Sequence, residues 1–184
     1  MPRQPRLELA GGIHHVWSRG AAKQTIFIND DDRRRYLWRL GRVVQHMSWH
    51  CLAYCLMGNH MHLLIETPKA NLGNGMQRLH GPYAQAFNRR HKKAGHVYGA
   101  RYDSKLMNND AHLWVTTNYI VHNPVKAGLC RAPDQWPWSS HTHFVAGTSP
   151  AWMSTGRLIS FFESMGGDPR ERYLDYIAAS TSLP

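Results

Sequence analysis

Two short apolar runs, residues 49–57 and 60–66, are separated only by Gly58 and Asn59, and this pairing limits the fold more than any other feature. The second run alternates after Asn59, as a half-buried strand does, and Gly58-Asn59 suits a tight turn. The two runs are therefore predicted to form an antiparallel hairpin. Side chains two apart on a strand share a face, so His60 and His62 project side by side from one sheet surface. Paired imidazoles are donors for a divalent metal. The chain carries 22 Lys and Arg against 12 Asp and Glu, a formal charge of +10, so a phosphate would be drawn to such a metal.

The other elements follow from periodicity and caps. Residues 12–18 read as a first strand, ended by Arg19-Gly20. Asn29 to Asp32 set acids ahead of a helix over 33–46, where they cap free amides and oppose the macrodipole. Tyr36, Leu37, Leu40, Val43 and Val44 give that helix one core face. A long helix over 71–93 turns Met76, Leu79, Tyr83, Ala86 and Phe87 inward, with an interruption at Gly81-Pro82. Residues 102–107 make a fourth strand. A third helix over 111–122 starts behind Asn108-Asn109-Asp110 and stops at Asn123-Pro124, because the residue before proline avoids helical geometry. Two C-terminal helices cover 157–162 and 169–179, the latter docking through Tyr173, Tyr176 and Ile177. This order is the split βαβ pattern. It predicts an α+β fold: a ferredoxin-like antiparallel sheet with helices on one face, plus a C-terminal helical extension. One domain is expected over residues 1–145, with 146–184 packed on it.

A balance this basic favours a polyanionic partner. The sequence holds no apolar run of eighteen residues, no signal-peptide core and no long basic amphipathic helix, which directs the choice from membrane to nucleic acid. Three cysteines, Cys51, Cys55 and Cys130, do not make a disulfide scaffold and fit a reducing cytoplasm.

The third helix carries the second half of the chemistry. Tyr119 and Asn123 are four apart and share a helix face. A phenol beside a metal-bound phosphate can act as a covalent nucleophile, and the carboxamide oxygen of Asn123 is a hard ligand able to join the imidazoles. Lys126 and Arg131 follow closely and can hold phosphate charge.

At these residues the chain resembles the HUH single-stranded DNA endonucleases with one catalytic tyrosine, and within them the REP-associated tyrosine transposases, relatives of insertion-sequence transposases. The resemblance rests on Gly12-Ile13-His14-His15-Val16 with Ser18-Arg19-Gly20, the strand of His60 and His62, and Phe87-Asn88-Arg89-Arg90-His91. It continues through Gly95-His96 with Gly99 and Arg101-Tyr102, Tyr119-Ile120 with Asn123-Pro124-Val125-Lys126-Ala127-Gly128, and Trp138-Ser139-Ser140. These stretches keep their order and cover most of residues 6–145; the tail matches more loosely. Gly58 stands where the family pattern has proline, and His141 and His143 where it has an aromatic residue or arginine.

The resemblance implies that His60 and His62 ligate Mg²⁺ or Mn²⁺, with Asn123 as a further polar ligand, and that Tyr119 is the nucleophile. The implied reaction is in-line attack on a phosphate polarised by the cation. It leaves a 5′-phosphotyrosyl enzyme and a free 3′-hydroxyl, and reversal by a second 3′-hydroxyl joins strands. The implied substrate is single-stranded DNA beside a REP-like hairpin. Arg89, Arg90, Lys92, Lys93, Arg101 and Lys105 form the densest basic stretch for its backbone, joined by Arg19 and Lys126. Arg3 and Arg6 would reach a groove or the bases at the hairpin foot. A monomer is expected, because one chain holds the whole set.

Other readings compete. Cys51, Cys55, His60 and His62 as a zinc site is disfavoured, since the two cysteines on one strand lie about 13 Å apart at roughly 3.3 Å per residue. Tyr83 and Tyr102 rival Tyr119, and His122 rivals Asn123. His14 and His15 are strand residues, one of them buried near the site. His141-Thr142-His143 reads as surface loop and Arg33-Arg34-Arg35 as a solvated helix face. Two functional alternatives are a hairpin-binding protein without catalysis, and a phosphodiesterase that activates water and forms no covalent intermediate.

Overall fold

In the computed structural model, which describes residues 8–179, strands β1 (Gly12–Arg19), β2 (His50–Leu56), β3 (His60–Thr67) and β4 (Asp103–Leu106) form an antiparallel sheet in the order β2-β3-β1-β4. Arg3 and Arg6 lie outside the described residues. Helix α1 (Asp30–Met47) links β1 to β2, and α2 (Leu72–Arg90) links β3 to β4. This is the ferredoxin-like order that the sequence pattern predicts.

Alternation along β1 sorts the two faces of the sheet. Gly12, His14, Val16 and Ser18 are buried, while Ile13, His15 and Trp17 are half-buried. The register pairs Val16 with Leu63 and Ser18 with Met61 on the first face, and Trp17 with His62 and Arg19 with His60 on the second. Helices α1 and α2 pack on each other and cover the first face, where Val16, Met61, Leu63 and Ile65 lose all contact with solvent. Helix α3 (Asp110–Lys126) lies against β2 and β3 and stands over the second face. The Gly58-Asn59 turn is pinned from outside: Gly58 O accepts from Ile26 N and Phe27 N at 2.9 and 3.1 Å, and Asn59 O from Gly20 N at 2.8 Å.

The acids at the start of α1 begin the helix rather than precede it. Asn29 Oδ1 accepts from Asp32 N at 3.0 Å and the Asp32 carboxylate accepts from Asn29 N at 3.4 Å, a reciprocal cap, with a further bond from Ile28 N at 2.8 Å. The same carboxylate is buried, pairs with Arg90, and lies 3.0 Å from His91 Nε2, so it ties the start of α1 to the end of α2.

Four further expectations need correction. Helix α3 does not stop at Asn123; it continues through Pro124 to Lys126 and closes at Gly128, whose φ is +68°. Proline removes one backbone donor there, but Ile120, Val121 and Pro124 are all buried, and this packing keeps the helix going. His141-Thr142-His143 is not a surface loop: it opens α4 (His141–Ala146), with His141 Nδ1 2.9 Å from Tyr173 Oη and His143 Nε2 3.0 Å from Tyr54 Oη. Arg33 is not solvated: its guanidinium sits 5.6–5.8 Å from the ring centres of Phe27, Trp136 and Trp138. Helix α2 also runs unbroken through Gly81-Pro82.

The C-terminal segment lines the outer edge of β2. Leu56 N donates to Trp138 O, Ser140 N to Tyr54 O and Ser154 N to Cys51 O, each at 2.9 Å. Helices α5 (Thr155–Ser160) and α6 (Pro169–Ala179) follow, burying Leu158, Phe162, Tyr173 and Ile177. No helix among the described residues is long and apolar enough to cross a membrane.

Candidate active site

The second face of the sheet, roofed by α3, brings the two halves of the sequence pattern together. His60 and His62 stand on β3 with ring centres 5.2 Å apart. The Tyr119 ring lies 5.4 Å from that of His62 and 5.9 Å from that of His15. One turn along α3, Asn123 reaches both imidazoles: its Oδ1 is 3.1 Å from His60 Nε2, and its Nδ2 donates to His62 Nε2 at 3.4 Å. Lys126, a further turn on, holds its ammonium 5.9 Å from the Tyr119 ring centre. Tyr119 is 41% exposed, so a substrate can approach it.

The far nitrogens of the two imidazoles are also engaged. His60 Nδ1 lies 2.7 Å from Asn59 Oδ1. His62 Nδ1 and His15 Nε2 are 3.0 Å apart, and the two rings stack with centres 5.1 Å apart. Burial lowers the pKa of all three histidines. It lowers His62 to about 2, with further lowering from His15, His60 and Arg19. It lowers His15 to about 4, and it lowers His60 as well.

A neutral imidazole has one proton. Given by His60 Nδ1 to Asn59, that proton leaves the Nε2 lone pair facing the lone pairs of Asn123 Oδ1. His62 Nε2, which accepts from Asn123, is likewise bare. Two bare imidazole nitrogens and a carboxamide oxygen at one point are a donor set that suits a divalent cation. The engaged far nitrogens are the outer support that metal-ligating histidines normally have. Among the described residues no three His, Cys, Asp or Glu side chains are grouped to hold a metal; Asn123 brings a carboxamide oxygen to the two imidazoles.

Beside this point a cleft of about 460 Å³ is lined by Trp17, Arg19, His60, His62, Arg101, Asp103 and Tyr119 among others. A larger groove of about 1000 Å³ runs between α2 and residues 95–102, and shares Gly99, Ala100 and Arg101 with the cleft. Arg19 and Arg101 are thus at the cleft, and Lys105 is on the same sheet face, paired across from His15. Arg89, Lys92 and Lys93 gather at the end of α2, outside the lining of the cleft. Arg90 is not a free cation for DNA, because it is committed to the buried Asp32 carboxylate.

The rivals fall away by position. Tyr83 is buried and donates to Ile26 O at 2.6 Å, and Tyr102 is buried at the larger groove. His122 Nδ1 donates to Asn118 O at 3.1 Å, back along its own helix. Cys51 and Cys55 are buried, burial pushes both thiols up, and among the described residues they form no metal-holding group with His60 and His62. Of the His14-His15 pair expected to place one member near the site, His15, half-buried, is the one that does, and Trp17 and Asp103 join the site although the sequence pattern does not single them out. The signal for Trp17 and Asp103 is their place across the sheet from β3, through the pairs Trp17–His62 and Trp17–Asp103.

Comparison with known proteins agrees with this geometry. A family model described as "Transposase IS200 like" matches residues 11–123. A Haemophilus influenzae protein named as a REP-associated tyrosine transposase is 27% identical over 107 residues, 52% of this chain and 61% of that protein, so less than two thirds of that relative is spanned. A solved structure of a REP-associated tyrosine transposase bound to a REP hairpin superposes with a TM-score of 0.66 at 18% identity, covering 82% of this chain and 89% of that one; the likeness is one of fold.

Proposed function

Because the chain belongs to the IS200-like transposase family, we propose that it nicks and rejoins single-stranded DNA beside a hairpin, through a covalent bond to Tyr119. One observation supports this most directly: Asn123, one helical turn from Tyr119, touches the Nε2 atoms of both His60 and His62. Nucleophile and candidate ligands therefore belong to one cluster.

In this reading His60 Nε2, His62 Nε2 and Asn123 Oδ1 hold Mg²⁺ or Mn²⁺. When bound, the cation supplies Lewis-acid polarisation of the scissile phosphate. His15 Nε2 takes the His62 Nδ1 proton in a hydrogen bond, and Asn59 Oδ1 that of His60 Nδ1, which keeps both Nε2 atoms bare. Arg19 and Arg101 bind the phosphates flanking the cut. Tyr119 Oη forms its bond to phosphorus as the bond to the 3′ oxygen breaks. The products are a 5′-phosphotyrosyl link and a 3′-hydroxyl, and a second 3′-hydroxyl reverses the step without ATP. The groove between α2 and residues 95–102 offers unpaired DNA a path away from the cut. The protein works as a monomer in the cytoplasm, with residues 146–179 packed on the nuclease domain.

Incubation with labelled hairpin oligonucleotides and Mn²⁺ tests this on a denaturing gel. The native protein should yield a DNA-linked band, and Tyr119→Phe should lose it while still binding the hairpin. Cleavage that survives Tyr119→Phe would mark a water-using phosphodiesterase. Absence of the band from the native protein would mark a binding module.

A further inference from the structure

The outer face of α1 carries an exposed indole among arginines. Trp38 is 57% exposed, on the helix that covers the sheet face opposite the histidines. The guanidinium carbon of Arg42 lies 5.0 Å from its ring centre and that of Arg39 5.9 Å. Arg34 and Arg42 stand four residues before and after Trp38, on the same helical stripe. Arg35 is neutralised by Asp31 at 2.6 Å. Among the described residues no carboxylate pairs with Arg34, Arg39 or Arg42. Burial lowers the pKa of Arg39, and the nearby Arg42 charge adds to the lowering.

Folding gains little from this arrangement. Like charges three and four apart on a helix repel, and a large indole left in water forgoes its burial energy. Both costs shrink if a polyanion with planar faces lies on the stripe. Single-stranded nucleic acid has that chemistry, since aromatic side chains stack on unpaired bases while Arg and Lys follow the backbone. A duplex presents its base edges rather than its faces, and an acidic membrane offers no planar partner.

We propose that Trp38, with Arg34, Arg39 and Arg42, forms a second binding surface for single-stranded DNA, outside the cleft and on the opposite layer of the fold. The choice of DNA rests on the function proposed above; the surface itself rests on charge and exposure. It would hold strand that leaves the cleft, with a base against Trp38 and phosphates on the three arginines.

The test is anisotropy of a long fluorescein-labelled oligothymidylate with the whole protein across a salt series. Trp38→Ala should weaken binding roughly tenfold, with partial recovery in Trp38→Phe. Arg39→Ala with Arg42→Ala should flatten the slope of log K against log salt by about 1.4, at about 0.7 per charge. Ultraviolet crosslinking of a bromodeoxyuridine oligonucleotide should label the peptide containing Trp38. Native affinity and slope in all these variants would overturn the proposal, as would failure of the native protein to bind the oligonucleotide. Equal losses on duplex DNA or on phosphatidylserine vesicles would overturn the single-strand assignment. The two readings fail separately. If the Tyr119 adduct forms but the α1 variants bind normally, only the surface is lost. If the α1 variants lose affinity but no adduct forms, only the nuclease reading is lost.

Discussion

His15 Nε2 sits 3.0 Å from His62 Nδ1, although the two residues are not direct partners in the strand register. The contact is diagonal between β1 and β3, and it engages the nitrogen of His62 that faces away from Asn123. Losing such an outer partner commonly costs about 10–100-fold in metal affinity. His15→Ala should therefore weaken Mn²⁺ binding by that range in calorimetry, with the fold unchanged by circular dichroism. His15→Gln, which keeps an acceptor, should recover part of the loss. Equal Mn²⁺ affinity in all three proteins would show that His15 merely fills space.

Asp32 is a second point where one side chain serves several elements. Burial pushes its carboxyl up, but hydrogen bonds from His91 and Arg90 outweigh this and hold it below the usual range. Asp32→Asn removes the charge opposite Arg90 and half of the α1 cap. Breaking a buried pair of this kind costs about 3 kcal/mol, and the loss should appear as a lower midpoint in urea. An unchanged midpoint would mean that Arg90 is solvated at no cost.

His141 gives a pH dependence with a definite sign. Burial lowers its pKa to about 4 in the folded chain, against about 6.5 when unfolded. Between those values the unfolded chain binds a proton that the folded chain refuses. Stability is therefore full above about pH 6.5 and falls as the pH drops towards 4, with a slope of up to about 1.4 kcal/mol per pH unit from this residue. Unfolding free energies measured over that window should show a shallower acid limb in His141→Gln than in the native protein. Parallel limbs would count against a neutral His141.

The C-terminal helices share buried residues with the rest of the chain. Phe162 is fully buried beside Tyr173, and Trp114 of α3 donates to Phe161 O at 3.0 Å. One cooperative transition is expected for the whole chain, and Phe162→Ala should lower it by about 3–5 kcal/mol. Two transitions, with only one of them moved by Phe162→Ala, would make residues 146–184 a separate unit.

How much of this was legible in the sequence depends on the range of the interaction involved. The hairpin and the shared face of His60 and His62 follow from a two-residue period, and Tyr119 with Asn123 from a four-residue spacing; both are local. Trp17 and Asp103 reach the cleft, and His15 reaches His62, only through the β3-β1-β4 register, which no local period encodes. Proline at 124 is locally a stop signal, overridden by burial of the helix around it. Arg33 and His141 read as surface residues because their type usually is. Trp136, Trp138 and Tyr173 enclose them, and those contacts form only once distant segments meet.

The backbone bonds that Trp138, Ser140 and Ser154 make along β2 have a consequence for the whole particle. A sheet that ended at so apolar a strand would invite another copy to extend it edge to edge. This chain closes that seam with its own tail, so neighbouring copies are denied their easiest handhold. The Tyr119 phenol beside His15 and His62 comes from the same polypeptide as they do, and dilution would leave the three side chains together.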